Sequence, residues 1–530
     1  MSARHDTLPV RHAPSHRGDI RQGATHPASL NAARRERELD QLSHGAPVDL
    51  LVIGAGVTGA GVALDAASRG LSVVLVDRHD LAYGTSRWSS KLVHGGLRYL
   101  AAGQVRIAYQ SAIERDRLLR RIAPHLVRPF PQLVPLLPGV NPFLVRAGQL
   151  AGDVLRFAAG TTGQVLPRSR WISRAETLRY APTVRTEGLR GGLLGWDGQL
   201  YDDARLVVAL ARTAAAYGAR VITRCAAEQV TGTGATLRDQ LTGHTLELPA
   251  RAVINATGVW AGQITRQVTL RPSRGTHLVF SQRVFGDLNA GLTVPVPGER
   301  NRFVFALPAP HDRVYVGLTD EEVASTEIPD EPRPSEAEVE FLINTVNQAL
   351  RVPVTRQDLL GAFAGLRPLL DHGDGRTADL SREHAVIVAP DGLVTIVGGK
   401  LTTYRLMAEQ AVDTVVARAG LDAGPCRTAR LPLVGVEGWA RVRTDERLRR
   451  KYGGEAPRVI AEAEGDPYLL APIADGIDVT RAELWFAVRH EGALDVDDLL
   501  DRRTRIGLVE TDRKRALAAA SEALEAAGEG

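Results

Sequence analysis

The 530-residue sequence predicts an α/β protein: a Rossmann-type dinucleotide-binding domain interleaved with an α+β domain, then an α-helical C-terminal domain. Three observations predict it. The apolar run VDLLVIG, a glycine-rich turn, a helical stretch and a second apolar run, LSVVLVD, form a βαβ unit over residues 48–77. Strand and helix patterns then alternate irregularly as far as Pro425. Beyond Pro425 strands become scarce and helical periodicity takes over. The division expected is therefore a flexible tail over 1–47, the interleaved domains over 48–425 and the helical domain over 426–530.

Residues 1–47 hold five of the fourteen histidines and seven arginines among scattered Pro, Gly and Ser, which reads as a mobile tail with one short helix over 31–42. His5, His12, His16 and His26 show no metal-ligand spacing. The first apolar run reads as a buried strand. The helix after it packs Val62, Leu64, Ala66 and Ala67 to one side and stops at Gly70. Later strands are expected over 220–223, 252–255, 277–280, 313–317 and 393–397. Helices are expected over 105–122, 203–217, 336–348, 404–419, 481–490 and 512–527.

Composition removes several function classes. With 24% charged and 44% hydrophobic residues the chain fills a large core, excluding wholly disordered and collagen-like states despite 52 glycines and 29 prolines. Two cysteines, Cys225 and Cys426, exclude a disulfide scaffold and any four-thiolate metal site, so no metal is expected. No run of 18 apolar residues occurs, and the opening MSARHDTLPVRHAPSHRGDIRQ lacks a secretory apolar stretch, so a soluble protein on the cytoplasmic side is the expectation. The net charge is only +4 (65 basic, 61 acidic), and just four basic residues are lysines: Lys91, Lys400, Lys451 and Lys514. That is a chain-wide arginine bias without an aromatic-interleaved basic stripe, so no nucleic-acid partner is expected.

Gly54, Gly56 and Gly59 match the GxGxxG fingerprint, and Asp77 ends the second strand. Gly54 permits the tight turn, Gly56 lets a pyrophosphate approach the backbone, and Gly59 allows close helix–strand packing. The helix N-terminus favours the diphosphate, and Asp77 would accept from the ribose hydroxyls. The fingerprint alone does not separate FAD from NAD. Two features favour FAD: there is a single fingerprint, and a second apolar strand, VINATGVWAG, ends in a glycine turn at Gly258. The architecture is then a Rossmann-type FAD-binding domain interleaved with an α+β substrate domain. Downstream, Thr85, Ser86, Ser89 and Ser90 supply short hydroxyls near the cofactor. Gly95 and Gly96, after His94, let backbone approach the ring. Gly399 and Thr402, in the turn GGKLTTYR, lead into a helix whose N-terminus can face the flavin.

The segment LAYGTSRWSSKLVHGGLRYL, followed in order by SRGTHLV, AGLRPLL, VGGKLTTYR and AELWFAVRHEGALDVDDLLDRRTRIGL, resembles the FAD-dependent glycerol-3-phosphate dehydrogenases over roughly residues 48–510. Arg87 and Trp88 depart from the family's usual residues, and the first 47 residues have no counterpart in the shorter relatives. The resemblance implies oxidation of sn-glycerol 3-phosphate to dihydroxyacetone phosphate, with hydride transfer to FAD and electrons leaving to a quinone. It implies substrate contacts from Arg98, Tyr99, Arg367 and Lys400. Independently, a dianionic substrate needs several cations in one pocket, and Arg98, Arg367 and Lys400 each sit in a Gly-rich or Pro-limited loop. His277 is the candidate base, and Arg367 the group that would polarise the developing oxyanion. The apolar, Pro-rich stretch FPQLVPLLPGVNPFLV and the residues after it read as a loop for either a membrane surface or internal packing. The expected location is cytoplasmic, peripheral on the inner face of the membrane. A second copy of the chain is a further candidate partner. Transfer to O2 by an oxidase of the same fold, a flavin oxidase for amines or hydroxy acids, and a redox-dead FAD-binding protein remain alternatives.

Overall fold

A computed structural model describes residues 26–96, 103–299, 302–324, 328–371 and 383–528. The dinucleotide-binding half is built on Val48–Ile53, whose side chains are nearly all buried. It pairs in parallel with Val73–Val76 on one side and with Thr245–Asn255 on the other. Arg220–Ile222 and Val394–Gly398 extend the parallel sheet outwards, and His384–Val388 closes one edge antiparallel. Continuous apolar runs suit strands covered on both faces. Helix Val57–Ser68 is buried nearly all round rather than along one side. It packs against Asp203–Ala216 and Tyr404–Ala419, and at Gly61 a Cβ would stand 2.9 Å from the Tyr404 ring. The expected one-sided helix thus becomes a fully enclosed one.

The second sheet is ten-stranded. Its long members Leu270–Ser281 and Leu359–Leu370 pair antiparallel from Leu270↔Leu370 to Phe280↔Leu359. Val127–Pro135 and Gly192–Leu200 form another long antiparallel pair, and Leu92–Val93 joins the latter. This corrects the reading of the proline-rich stretch as a loop, since its first part is a strand. Pro129 and Pro131 both precede Gln132, where pairing with Gly291–Pro295 begins, so their missing N–H groups do not interrupt that ladder. The remainder, Pro142–Ala158, is an amphipathic helix capped by the Asn141 side chain.

The C-terminal part holds helices Glu446–Tyr452, Arg481–His490 and Glu510–Gly528 around a small hairpin, with their own apolar cluster. It is stitched to the rest by buried ion pairs. Asp80 accepts from Arg502 (2.6 Å) and Arg503 (2.6 and 2.8 Å), and Arg212 pairs with Glu455 (2.7 Å). The expectation of a flexible tail over 1–47 fails for its described part. Ala28 and Leu30 are buried, helix Ala32–Ser43 is capped by Asn31, and Arg212 donates to the Ala28 carbonyl (3.1 Å). The apolar and guanidinium partners that order this segment are distant in sequence. His5, His12 and His16 lie outside the described residues, and no metal-binding cluster occurs among those described.

Candidate active site

The glycine fingerprint is built as its chemistry requires. Gly54 has φ +102°, and a Cβ on it would stand 2.8 Å from the Ala256 carbonyl oxygen. A Cβ at Gly59 would lie 1.8 Å from the Gly54 oxygen, so only glycine lets the helix start this close to the strand. At Gly56 the nearest atom to such a Cβ is the Ser86 hydroxyl (3.1 Å), which accepts from the Val57 amide (2.9 Å). The next amides of this helix start have no partner within the helix and face an anion site. Asp77 accepts from the Ala55 amide (2.6 Å) and the His79 amide (2.8 Å), and burial raises its carboxyl to about 6. Asn255, which the sequence reading missed, accepts from the Thr257 amide and hydroxyl, and its amide group donates to Thr395. It shapes the turn into Gly258, which has φ +60°. This cradle, with glycines where side chains would intrude, fits a dinucleotide such as FAD.

Strand alternation does the rest. Ser273, Gly275 and His277 face the same side as their neighbours Arg367, Gly365 and Phe363. The two glycines clear the space between the larger groups. A Cβ at Gly275 would strike the Arg367 guanidinium at 2.1 Å, and one at Gly365 would meet Trp88 at 2.5 Å. Arg367 donates to the Ser273 hydroxyl (3.2 Å) and the Thr319 carbonyl (3.0 Å), with Asp320 at 3.6 Å.

His277 is fixed on three sides. Its ring stacks on Phe363 (4.9 Å, 12°), its Nε2 bonds Ser90 Oγ (2.8 Å), and Gly317 leaves room for its edge. Its Nδ1 is buried without a hydrogen-bond partner. Burial, then the charges of Lys91 and Arg367, lowers the imidazole to about 3, so it is neutral at working pH. Lys91 is itself buried, bonded to the Ser89 carbonyl (2.9 Å), paired with Asp203 (3.3 Å) and lying over the Phe363 ring (4.6 Å). Its scarcity in an arginine-biased chain was the signal available in sequence. Asp203 and Phe363 carried none.

Around this core Thr85 donates to the Leu366 carbonyl (2.6 Å), and Asp197 accepts from the Gly95 amide (3.0 Å) and Arg115 (2.6 Å). Gly95 and Gly96 are buried, the latter with φ +80°. Gly399 (φ +72°) packs on Met407, Thr402 is buried, and Lys400 donates to Ser111 (3.0 Å). Arg87, one of the two departures, is buried and paired with Glu331 (2.6 Å), and its carbonyl accepts from Arg505 (2.5 Å) of the C-terminal domain. Arg98 and Tyr99 lie outside the described residues. Arg367 and Lys400 are held by different partners, one on the sheet face and one against helix Val105–Arg117.

The chain is similar to known proteins along most of its length. A family model for FAD dependent oxidoreductases matches residues 49–405, and one for the C-terminal domain of alpha-glycerophosphate oxidase matches 426–529. The sequence is 56% identical over 512 residues to glycerol-3-phosphate dehydrogenase 1 of Mycobacterium tuberculosis (strain ATCC 25618 / H37Rv), covering 94% of this chain and 99% of that one. It is 35% identical to a mitochondrial glycerol-3-phosphate dehydrogenase of Arabidopsis thaliana, covering 88% and 80%. The glycerol-3-phosphate dehydrogenase from Bacillus halodurans, solved in complex with FAD, superposes with a TM-score of 0.69 at 27% identity over 94% of each chain.

Proposed function

The chain belongs to the FAD-dependent oxidoreductases, within their glycerol-3-phosphate dehydrogenase branch, and from that premise we propose that it oxidises sn-glycerol 3-phosphate to dihydroxyacetone phosphate and passes the electrons to a quinone at a membrane surface. The observation that carries this reading is the shared sheet face on which neutral His277 and cationic Arg367 flank Gly275. FAD, when bound, supplies the acceptor for the hydride from C2. In the tautomer that donates Nε2–H to the Ser90 hydroxyl, His277 keeps the Nδ1 lone pair to take the C2 hydroxyl proton. Arg367, fixed by Ser273 and Thr319, stabilises the oxygen as it becomes a carbonyl. Lys400, with Arg98 and Tyr99, binds the phosphate. The buried Lys91–Asp203 pair and Phe363 keep the imidazole in place and exclude water.

Membrane contact comes from helix Pro142–Ala158. Phe143 (78% exposed), Leu150, Val154 (68%) and Phe157 (76%) recur at spacings of 7, 4 and 3 and so form one apolar stripe. No helix among the described residues is long and apolar enough to cross a membrane; the attachment proposed is peripheral. Anaerobic, dye-coupled turnover tests the whole reading. Glycerol 3-phosphate should yield dihydroxyacetone phosphate and plain glycerol should not. Peroxide released in air at the turnover rate would replace the quinone by O2.

A further inference from the structure

Away from the active site, a cleft of about 280 Å³ lies between the second sheet and the C-terminal domain. Its lining holds Arg128, Arg447 and Arg450 against Asp478, Glu446 and the exposed Asp312, but these charges are unevenly paired. Arg447 is neutralised by Asp478 (3.2 Å) and Glu483 (2.7 Å), and Asp478 also holds His311 (2.7 Å). Arg128 has only the neutral Gln199 amide oxygen (2.9 and 3.2 Å). Arg450 makes no hydrogen bond or ion pair among the described residues; it lies over the Tyr201 ring at 5.7 Å. Burial, and then the charge of Arg128, lowers its guanidinium to about 10. The Tyr201 hydroxyl is buried and has no partner, although the ring lines the cleft. Glu446, exposed at the rim, is the carboxylate facing both arginines, and it forms an ion pair with neither.

Half-buried guanidinium groups facing each other are normally neutralised, and an unfilled hydroxyl beside them adds a donor. We propose that this cleft is a second anion site, which binds a small soluble phosphate monoester between Arg128 and Arg450 with Tyr201 donating to it. A dianion matches two guanidinium forks in charge and in number of oxygens. A carboxylate or a phospholipid diester falls one charge short. The volume, just below the usual range for drug-sized ligands, restricts the occupant to a small molecule.

Titration calorimetry of the FAD-loaded full chain with inorganic phosphate, in phosphate- and sulfate-free buffer, tests this. The native protein should show a class of sites that Arg450→Gln weakens at least tenfold and Tyr201→Phe weakens severalfold, with the KM for glycerol 3-phosphate unchanged within twofold. Arg128→Gln, on the opposite wall, should reproduce the loss and serves if Arg450→Gln does not fold. Isotherms of both arginine variants that superimpose on the native one overturn the proposal. So does loss of binding to phosphatidylglycerol vesicles with phosphate binding intact.

Discussion

Replacing His277 by glutamine removes the proposed base while keeping a polar group of similar length. The native ring is neutral, stacked on Phe363 and bonded through Nε2 to Ser90, so the substitution removes the unpartnered Nδ1 together with the stacking and the Ser90 bond. A positioned base contributes about 10²–10⁴-fold, or about 2.7–5.5 kcal/mol of barrier. The first-order rate of flavin reduction by saturating glycerol 3-phosphate, followed at 450 nm in an anaerobic stopped-flow, should fall by that factor while bound FAD remains stoichiometric. Ser90→Ala removes one hydrogen bond to the ring, worth about 0.5–1.5 kcal/mol, and should slow the same step only about twofold to tenfold. Because burial and neighbouring cations hold the imidazole near 3, the acid limb of native kcat/KM should lie well below 6.5 once the substrate phosphate's own titration is divided out. A His277→Gln rate within threefold of native would refute the assignment of His277 as base.

Other outcomes follow from the same contacts. Gly59→Ala forces a Cβ into the Gly54 carbonyl and should weaken FAD binding at least tenfold by equilibrium dialysis. Asp80→Asn leaves Arg503 buried without a carboxylate and Arg502 with Asp498 in place of two partners, and should cost about 3–5 kcal/mol in urea denaturation. Phe143→Glu with Phe157→Glu should release the enzyme from anionic vesicles in a sedimentation assay at unchanged dye-coupled kcat. Burial holds His125 and His277 near 3 and His26 and His79 near 4, so their stabilising contribution is complete above 6.5 and is lost as pH falls towards 4. Asp77 and Asp498, both raised by burial, act in the opposite sense over part of that window. Glu38, Asp197, Asp202 and Asp501 are likewise raised by burial, so the histidine contribution is read as the difference between native and variant melting temperatures from pH 4 to 6.5. His125→Gln should flatten the dependence by one proton, roughly 1.4 kcal/mol per pH unit.

Much of the dinucleotide half is legible in the sequence because its strands are short apolar runs punctuated by glycine. Helix Tyr404–Ala419 matches its periodicity residue for residue and ends at Gly420, which adopts φ +58°. The second sheet is less legible. In Leu270–Ser281 the face that lines the site carries Ser273, Gly275 and His277, and this polar, small-residue face interrupts the alternation that marks a strand. Only its end, 277–280, has strand-like texture. The Val127–Pro135 strand is hidden for a related reason, since Pro129 and Pro131, which precede the stretch paired with Gly291–Pro295, look like breakers in sequence. Lys91, Asp203 and Phe363 converge from three distant segments, and only their pairing in space reveals a support for the histidine. Arg505 reaching the Arg87 carbonyl is another such contact, and it shows why the C-terminal domain matters to a loop more than 400 residues earlier.

The most direct test is spectral: purified, yellow protein mixed with excess glycerol 3-phosphate in the absence of oxygen and of any other acceptor. The account predicts complete loss of the oxidised flavin band within one turnover, with one dihydroxyacetone phosphate formed per flavin. A band that persists with glycerol 3-phosphate, or that bleaches equally with unphosphorylated glycerol, would contradict it.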